Sequence, residues 1–116
     1  MTEDYRPVLE KIKRTLAKVD PESRQITSGD SWSPMVFHGE RYWPRYDFSK
    51  LDYIVLTNGW DRLQKAKQDG IAGLIIASNR PRTRVWLVPI DKAIWHASWL
   101  GQGKVMIHYK KSGRSV

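Results

Sequence analysis

The sequence predicts a single domain of the α/β or α+β class. We expect a mixed β-sheet of about five strands, an N-terminal amphipathic helix and one crossover helix. The chain has 116 residues, of which 41% are hydrophobic, and this length supplies one hydrophobic core only. Strand-like segments occur both before and after a helical segment in the middle of the chain, which indicates helices packed against a mixed sheet.

The first predicted element is an amphipathic helix that ends before Asp20, because a residue that precedes proline avoids the helical region. Thr2 is a suitable N-cap for this helix. Its apolar residues recur at three- and four-residue steps, which places them on one face: Tyr5, Val8, Leu9, Ile12, Leu16 and Val19. The sequence therefore predicts one buried face, and an outer face that carries Lys11, Lys13, Arg14 and Lys18.

Residues 35–38 and 41–43 predict a β-hairpin around Gly39 and Glu40, with the glycine at the first central position of a II′ turn. A further strand is expected over residues 52–57, where aromatic and β-branched residues are dense. A short helix follows over about residues 60–69, with Trp60 and Leu63 directed inward.

The apolar run over residues 71–78 predicts a strand covered on both faces. The crossover from residues 52–57 through the short helix to residues 71–77 would form a parallel, right-handed strand pair. A strand at 85–88, a short helix at 91–100 with Ile94, Trp95 and Trp99 inward, and a strand at 104–109 complete the domain. The basic residues 110–116 are expected to form a flexible tail.

Charge is the strongest global signal in the sequence. The chain has 20 Lys and Arg against 12 Asp and Glu, which gives a net charge of +8. Such an excess favours an anionic partner. The absence of cysteine excludes a disulfide framework, a thiolate zinc site, an iron–sulfur cluster and a cysteine nucleophile. The N-terminus has no apolar signal segment and no run is long enough to span a bilayer, so we expect a cytoplasmic protein without membrane association.

Several cations are arranged as in nucleic-acid-binding proteins. Arg80, Arg82 and Arg84 alternate, so an extended conformation would present all three guanidinium groups on one side. The remaining candidate binding residues combine cations with stacking rings: Arg41, Trp43, Arg45, Tyr46, Lys65, Lys67, Lys110 and Lys111. They predict a small basic protein that contacts the phosphate backbone and stacks bases. The sequence leaves open whether the partner is DNA or RNA, and what the oligomeric state is.

Acidic residues offer an alternative in which the protein is a nuclease. Glu10, Asp47 and Asp52 would hold Mg²⁺ if they converged at one end of the sheet, because that ion prefers hard oxygen ligands. No other cofactor is expected, since the chain has no Walker or dinucleotide-binding glycine motif. A metal-free nuclease that uses His108 or His96 with arginine is a variant of this alternative.

The order of elements over residues 35–91 resembles the PD-(D/E)xK nucleases, the restriction-endonuclease-like family. The resemblance is carried by the strand at 52–57, the crossover helix, and the apolar segments at 69–76 and 85–90. It implies that Asp47 or Asp52 matches the first acid of the motif, Glu10 the acid of the helix, and Gln64 a glutamine of some members. The (D/E)xK motif itself is missing, since the segment Tyr53-Ile54-Val55-Leu56-Thr57 contains neither an acid nor a lysine.

A third function class remains open from the sequence. The chain would then be a protein-interaction or ligand-binding domain without a role on nucleic acid, whose charge only keeps it in solution. A discrete hydrophobic partner site under Trp32 or Trp99 would favour that class.

Overall fold

Helices and strands alternate along the chain in the computed structural model, which describes residues 6–26, 33–47, 53–78 and 84–116. The first half contains α1 (Arg6–Val19), β1 (Arg24–Gln25), β2 (Met35–Phe37), β3 (Glu40–Asp47), β4 (Ile54–Leu56) and α2 (Gly59–Gln68). The second half contains β5 (Gly73–Ser78), β6 (Arg84–Pro89), α3 (Ile90–Trp95), β7 (Ser98–Gly101), β8 (Lys104–Ile107), α4 (Tyr109–Ser112) and β9 (Arg114–Ser115). Within these ranges no helix is both long and apolar enough to cross a membrane.

The strands form two sheets. The larger one has six strands in the order β1-β2-β3-β5-β6-β9, and the smaller one has three strands in the order β4-β8-β7. In the larger sheet β3 and β5 are parallel, and the other neighbours are antiparallel. The predicted α+β domain with a mixed sheet is thus confirmed, with six strands in the mixed sheet where about five were expected.

The predicted parallel pairing of residues 52–57 with 71–77 is wrong. The parallel partner of β5 is β3, in a six-residue register from Tyr42↔Gly73 to Asp47↔Ser78. All six residues of β5 are buried, so this strand needs long neighbours on both edges and layers on both faces. The short strand β4 cannot serve as such a neighbour, and it pairs with β8 in the small sheet instead.

Where one hydrophobic core was expected, two clusters of buried residues lie on opposite faces of the large sheet, because the sheet is covered on both faces. On one face Ile12 and Leu16 of α1 pack with Ile75 of β5, as the helical pattern predicted, although Val19 at the end of α1 is exposed. On the other face α2, α3 and the small sheet pack around Leu74 and Ile76. Since side chains alternate along a strand, β5 contributes to both cores.

The hairpin turn differs from the predicted II′ turn at Gly39 and Glu40. Phe37 pairs with Glu40, so the two loop residues are His38 and Gly39, with φ of 51° and 76°. Positive φ at both positions is the property of a I′ turn, whose twist matches that of the flanking strands. The carboxylate of Asp20 holds this turn, because its Oδ2 accepts the backbone N–H of His38 at 2.8 Å.

The Asp20 contact makes part of the stability depend on pH. The backbone N–H of His38 lowers the pKa of this carboxyl from its ordinary value of 3.8. A lowered folded-state pKa adds stability that is complete above the unfolded-state value and is lost as pH falls through the folded-state value. We therefore expect Asp20→Ala to unfold at lower urea concentration than the wild type at pH 7, and the difference to shrink below pH 3.8. A difference that persists unchanged in acid would contradict this assignment.

The C-terminal third departs most from the sequence prediction. The helix predicted over residues 91–100 ends at Trp95, and β7 follows it. Trp95 and Trp99 were expected inward, but their exposed fractions are 84% and 61%. The inward positions of α3 are taken by Ile90 and Ala93. Where a flexible tail was expected over residues 110–116, the chain forms most of α4 and the strand β9, which pairs with β6.

Candidate nucleic-acid interface

Four alternate residues of β3 form a row on the face of the large sheet that packs against α2. They are Arg41, Trp43, Arg45 and Asp47, and the period-2 geometry of a strand directs them to the same side. Trp43 packs against the core under α2, which fixes the side to which the row belongs. The sequence had singled out the first three as binding residues, so the strand does bring them together.

A groove with a volume of about 320 Å³ lies between this row and α2. Arg41 and Trp43 contribute from β3, and Arg62, Lys65 and Asp69 contribute from α2 and the turn after it. The groove exists because α2 covers β5, whereas the sheet continues outward to β3 and β2. Both walls of the groove therefore carry cations. Asp69 is the acidic residue among those that line it.

Arg41 ties the two walls of the groove together. Its Nη2 donates to the backbone carbonyl of Asp69, immediately after the C-terminal end of α2. Carbonyl groups at that end of a helix lack intrahelical partners and carry partial negative charge, so a guanidinium group is a favourable partner. One side of this guanidinium is thereby occupied, and the position of Arg41 is fixed before any ligand arrives.

Arg45 stacks on Trp43. The guanidinium carbon lies 3.4 Å from the centroid of the indole, and Nη1 also donates to the carbonyl of Pro44 at 2.8 Å. A cation over the indole face is electrostatically favourable. The stack means that one face of Trp43 is covered within the protein, so a base on that side would meet the guanidinium plane rather than the ring.

Among the described residues that line the groove, Arg62 and Lys65 are the cations whose side chains have no protein partner. Both side chains are exposed, and they lie three residues apart, which makes them neighbours on the helix surface. Across the described ranges neither side chain has a hydrogen bond or an ion pair. The sequence analysis did not single out Arg62. A signal for it was present, because a helix that buries Leu63 and Ala66 places residues 62, 65 and 69 together on one flank.

The other predicted cations lie elsewhere. Lys67 is on the opposite flank of α2 and forms a 2.7 Å ion pair with Asp91 of α3. Arg84 is exposed at the start of β6, two strands from β3. Lys110 and Lys111 belong to α4, where the Lys110 ammonium lies 5.9 Å from the Trp86 ring centroid. Arg80, Arg82 and the side chain of Tyr46 lie outside the described residues.

The predicted metal-binding acids occupy different environments. Glu10 is exposed on α1 and contacts Lys13 at 3.5 Å. Asp47 is buried at the end of β3, where it accepts a 2.7 Å hydrogen bond from the hydroxyl of Tyr109. Asp52 lies outside the part of the chain that the structure describes. Among the residues that are described, no three His, Asp or Glu side chains are placed to hold a metal ion.

The groove is thus lined by the anchored Arg41, by Trp43, which carries the stacked Arg45, and by two cations without a side-chain partner among the described residues. This arrangement can neutralise phosphate groups. Other cations, such as Arg14 and Lys18 on α1, lie beyond the opposite face of the sheet, so the positive charge does not form one continuous patch. Comparison of the chain with protein-family models, with curated proteins and with solved structures finds no match.

Proposed function

We propose that the protein binds nucleic acid through its phosphate backbone, and that the groove between β3 and α2 is the phosphate-binding site. The observation that carries this proposal is the pair Arg62 and Lys65, which are exposed on one wall of the groove and have no partner within the described residues. Unpaired cations beside other cations repel one another, and an anion in the groove would relieve that repulsion.

The groove suits a phosphate better than a single carboxylate. Arginine presents its N–H groups in a planar fork that matches two phosphate oxygens, and lysine acts as a point charge beside it. Arg41 and Arg45 are held by the Asp69 carbonyl and by Trp43, so they add positive potential without needing to be ordered on binding. Less conformational entropy is then lost when the ligand enters.

The net charge of +8 supports a polyanion as the ligand. Each phosphate that a cation neutralises releases counterions, so the affinity of a polyanion falls steeply with salt. The exposed backbone of a nucleic acid offers many equivalent phosphates, which is consistent with a groove that is open rather than closed around one small molecule. The nucleic acid is contacted through its backbone, without base-specific readout at this site.

The double variant Arg62→Ala/Lys65→Ala tests the proposal. We expect its affinity for a labelled oligonucleotide to be roughly ten- to fifty-fold lower than that of the wild type at 0.1 M salt. The slope of log K against log salt concentration is expected to become shallower by about 1.4 to 1.8, because two phosphate contacts are lost. Fluorescence anisotropy over a salt series measures both quantities.

The matched control is Arg14→Ala/Lys18→Ala. It removes one arginine and one lysine from exposed positions of another helix, so the net charge changes equally. This control is expected to keep affinity within about twofold, because α1 lies on the other face of the sheet. Equal losses of affinity in both double variants would show that binding depends on overall charge and not on the groove. Binding that does not change with salt, or no binding at all, would overturn the proposed function.

A further inference from the structure

Three tryptophans that do not line the groove expose much of their indole surface. The exposed fractions are 38% for Trp60, 61% for Trp99 and 84% for Trp95. Indole is among the largest apolar groups in proteins, and leaving it in water forfeits the free energy that burial would supply. Exposure of three such rings therefore indicates a surface that contacts another molecule.

The contacts of α2 and α3 bring these rings to one place. Lys67 near the end of α2 pairs with Asp91 in the first turn of α3, so these two helix ends are adjacent. At the other end of α2, Trp60 contacts Trp99 edge-to-face, with ring centroids 6.3 Å apart. Trp95 ends α3, four residues before Trp99 in the chain, so its exposed ring lies in the same region. We call the three residues Trp60, Trp95 and Trp99 the tryptophan surface.

A cation borders the tryptophan surface. Lys92 precedes Trp95 by three residues on α3, so the two are neighbours on that helix. Lys92 is exposed, and it has no ion pair among the described side chains. Asp91 on the same side is neutralised by Lys67. The surface thus combines exposed indole rings with an exposed cation at its border, which suits a partner with planar rings and anionic groups.

Resting on the proposed function, we infer that the tryptophan surface stacks unpaired bases, so that the nucleic acid bound by this protein is single-stranded. In a duplex the base faces are covered by their neighbours, whereas in a single strand they can stack on aromatic side chains. Trp60 and Arg62 are both in the first turn of α2, on opposite flanks. One strand that crosses this helix, about 10–12 Å wide, would place phosphates in the groove and bases on the rings.

The experiment compares a fluorescent twelve-nucleotide oligo(dT), the same length of oligo(rU) and a duplex of equal length. The variant is Trp95→Ala/Trp99→Ala, which removes two exposed rings. The control is Val19→Ala/Ile26→Ala, which removes exposed apolar side chains elsewhere, with exposed fractions of 52% and 45%. Arg62→Ala/Lys65→Ala is measured in the same series, and analytical ultracentrifugation gives the oligomeric state of each protein.

The wild type is expected to bind single strands more tightly than the duplex. The tryptophan variant is expected to lose roughly five- to one-hundred-fold in single-strand affinity for each stacked base, with duplex affinity unchanged, while the control keeps both. Wild-type affinity in the tryptophan variant overturns the inference. If Arg62→Ala/Lys65→Ala still weakens binding in that case, the proposed function is supported and the inference about the tryptophan surface is refuted. Loss in the tryptophan variant only would refute the groove instead.

A second result would also overturn the inference. If the wild type is a dimer, the tryptophan variant is a monomer, and both bind oligonucleotides equally, then the surface joins two copies of the chain. The absence of binding to any of the three probes would refute both the inference and the proposed function.

Discussion

Gly73→Ala is expected to lower the free energy of unfolding by about 4 kcal/mol or more, the largest loss among the substitutions considered. Gly73 is buried at the start of β5, opposite Pro89 of β6. A Cβ atom there would overlap the backbone carbonyl oxygen of Val88 and lie 3.1 Å from the Cα of Pro89. Backbone atoms of a paired strand cannot rotate away, so β5 and β6 would have to separate. Urea denaturation followed by circular dichroism measures the loss.

Gly39→Ala is the matched control for this substitution. Gly39 has φ of +76°, and a Cβ there would meet nothing within 4 Å. The cost is then backbone strain alone, about 1 to 2 kcal/mol. Equal destabilisation by the two alanines would contradict the overlap with β6 as the cause of the loss at Gly73.

Tyr109→Ala is expected to cost about 3 to 5 kcal/mol of folding stability, the range for truncation of a buried aromatic side chain. Tyr109 is fully buried, and its ring lies 5.9 Å from that of Trp86, centroid to centroid. Its hydroxyl donates to Asp47 at 2.7 Å. The alanine removes the ring contacts and this hydrogen bond together, which loosens α4 from the end of β3.

Tyr109→Phe separates the two contributions, because it keeps the ring and removes only the hydroxyl. We expect it to cost about 1 to 3 kcal/mol, because the buried Asp47 loses this donor. Chemical denaturation of both variants at pH 7 gives the comparison. If phenylalanine is as destabilising as alanine, ring packing contributes nothing and the assignment of Tyr109 to the core is contradicted.

The elements that the sequence predicts well are those whose patterns are local. The spacing of Ile12 and Leu16 predicts α1 and its buried face, and the apolar run predicts that β5 is covered on both faces. The pairing of β5 with β3 rather than β4 could not be predicted, because strand partners are chosen by length and burial over long sequence separations. The same limit explains why Trp95 and Trp99 were wrongly expected to be buried. An aromatic side chain is buried only where the fold places another layer over it, and that depends on distant parts of the chain.

The candidate site was partly predictable for similar reasons. Arg41, Trp43 and Arg45 share one strand face, and alternation alone places them together. The contribution of Arg62 depends on how α2 lies across the sheet, which no local pattern contains. The contact between Arg45 and Trp43 depends on side-chain rotamers, so the sequence indicated two separate ligand contacts where the structure has one stack.

The six-stranded sheet is bounded by strands of only two residues, β1 on one edge and β9 on the other. A strand from another molecule would find few peptide groups to pair with at either boundary, and such short edges are one way in which proteins resist aggregation. Longer strand pairing at either boundary of this sheet would first require β1 or β9 to detach.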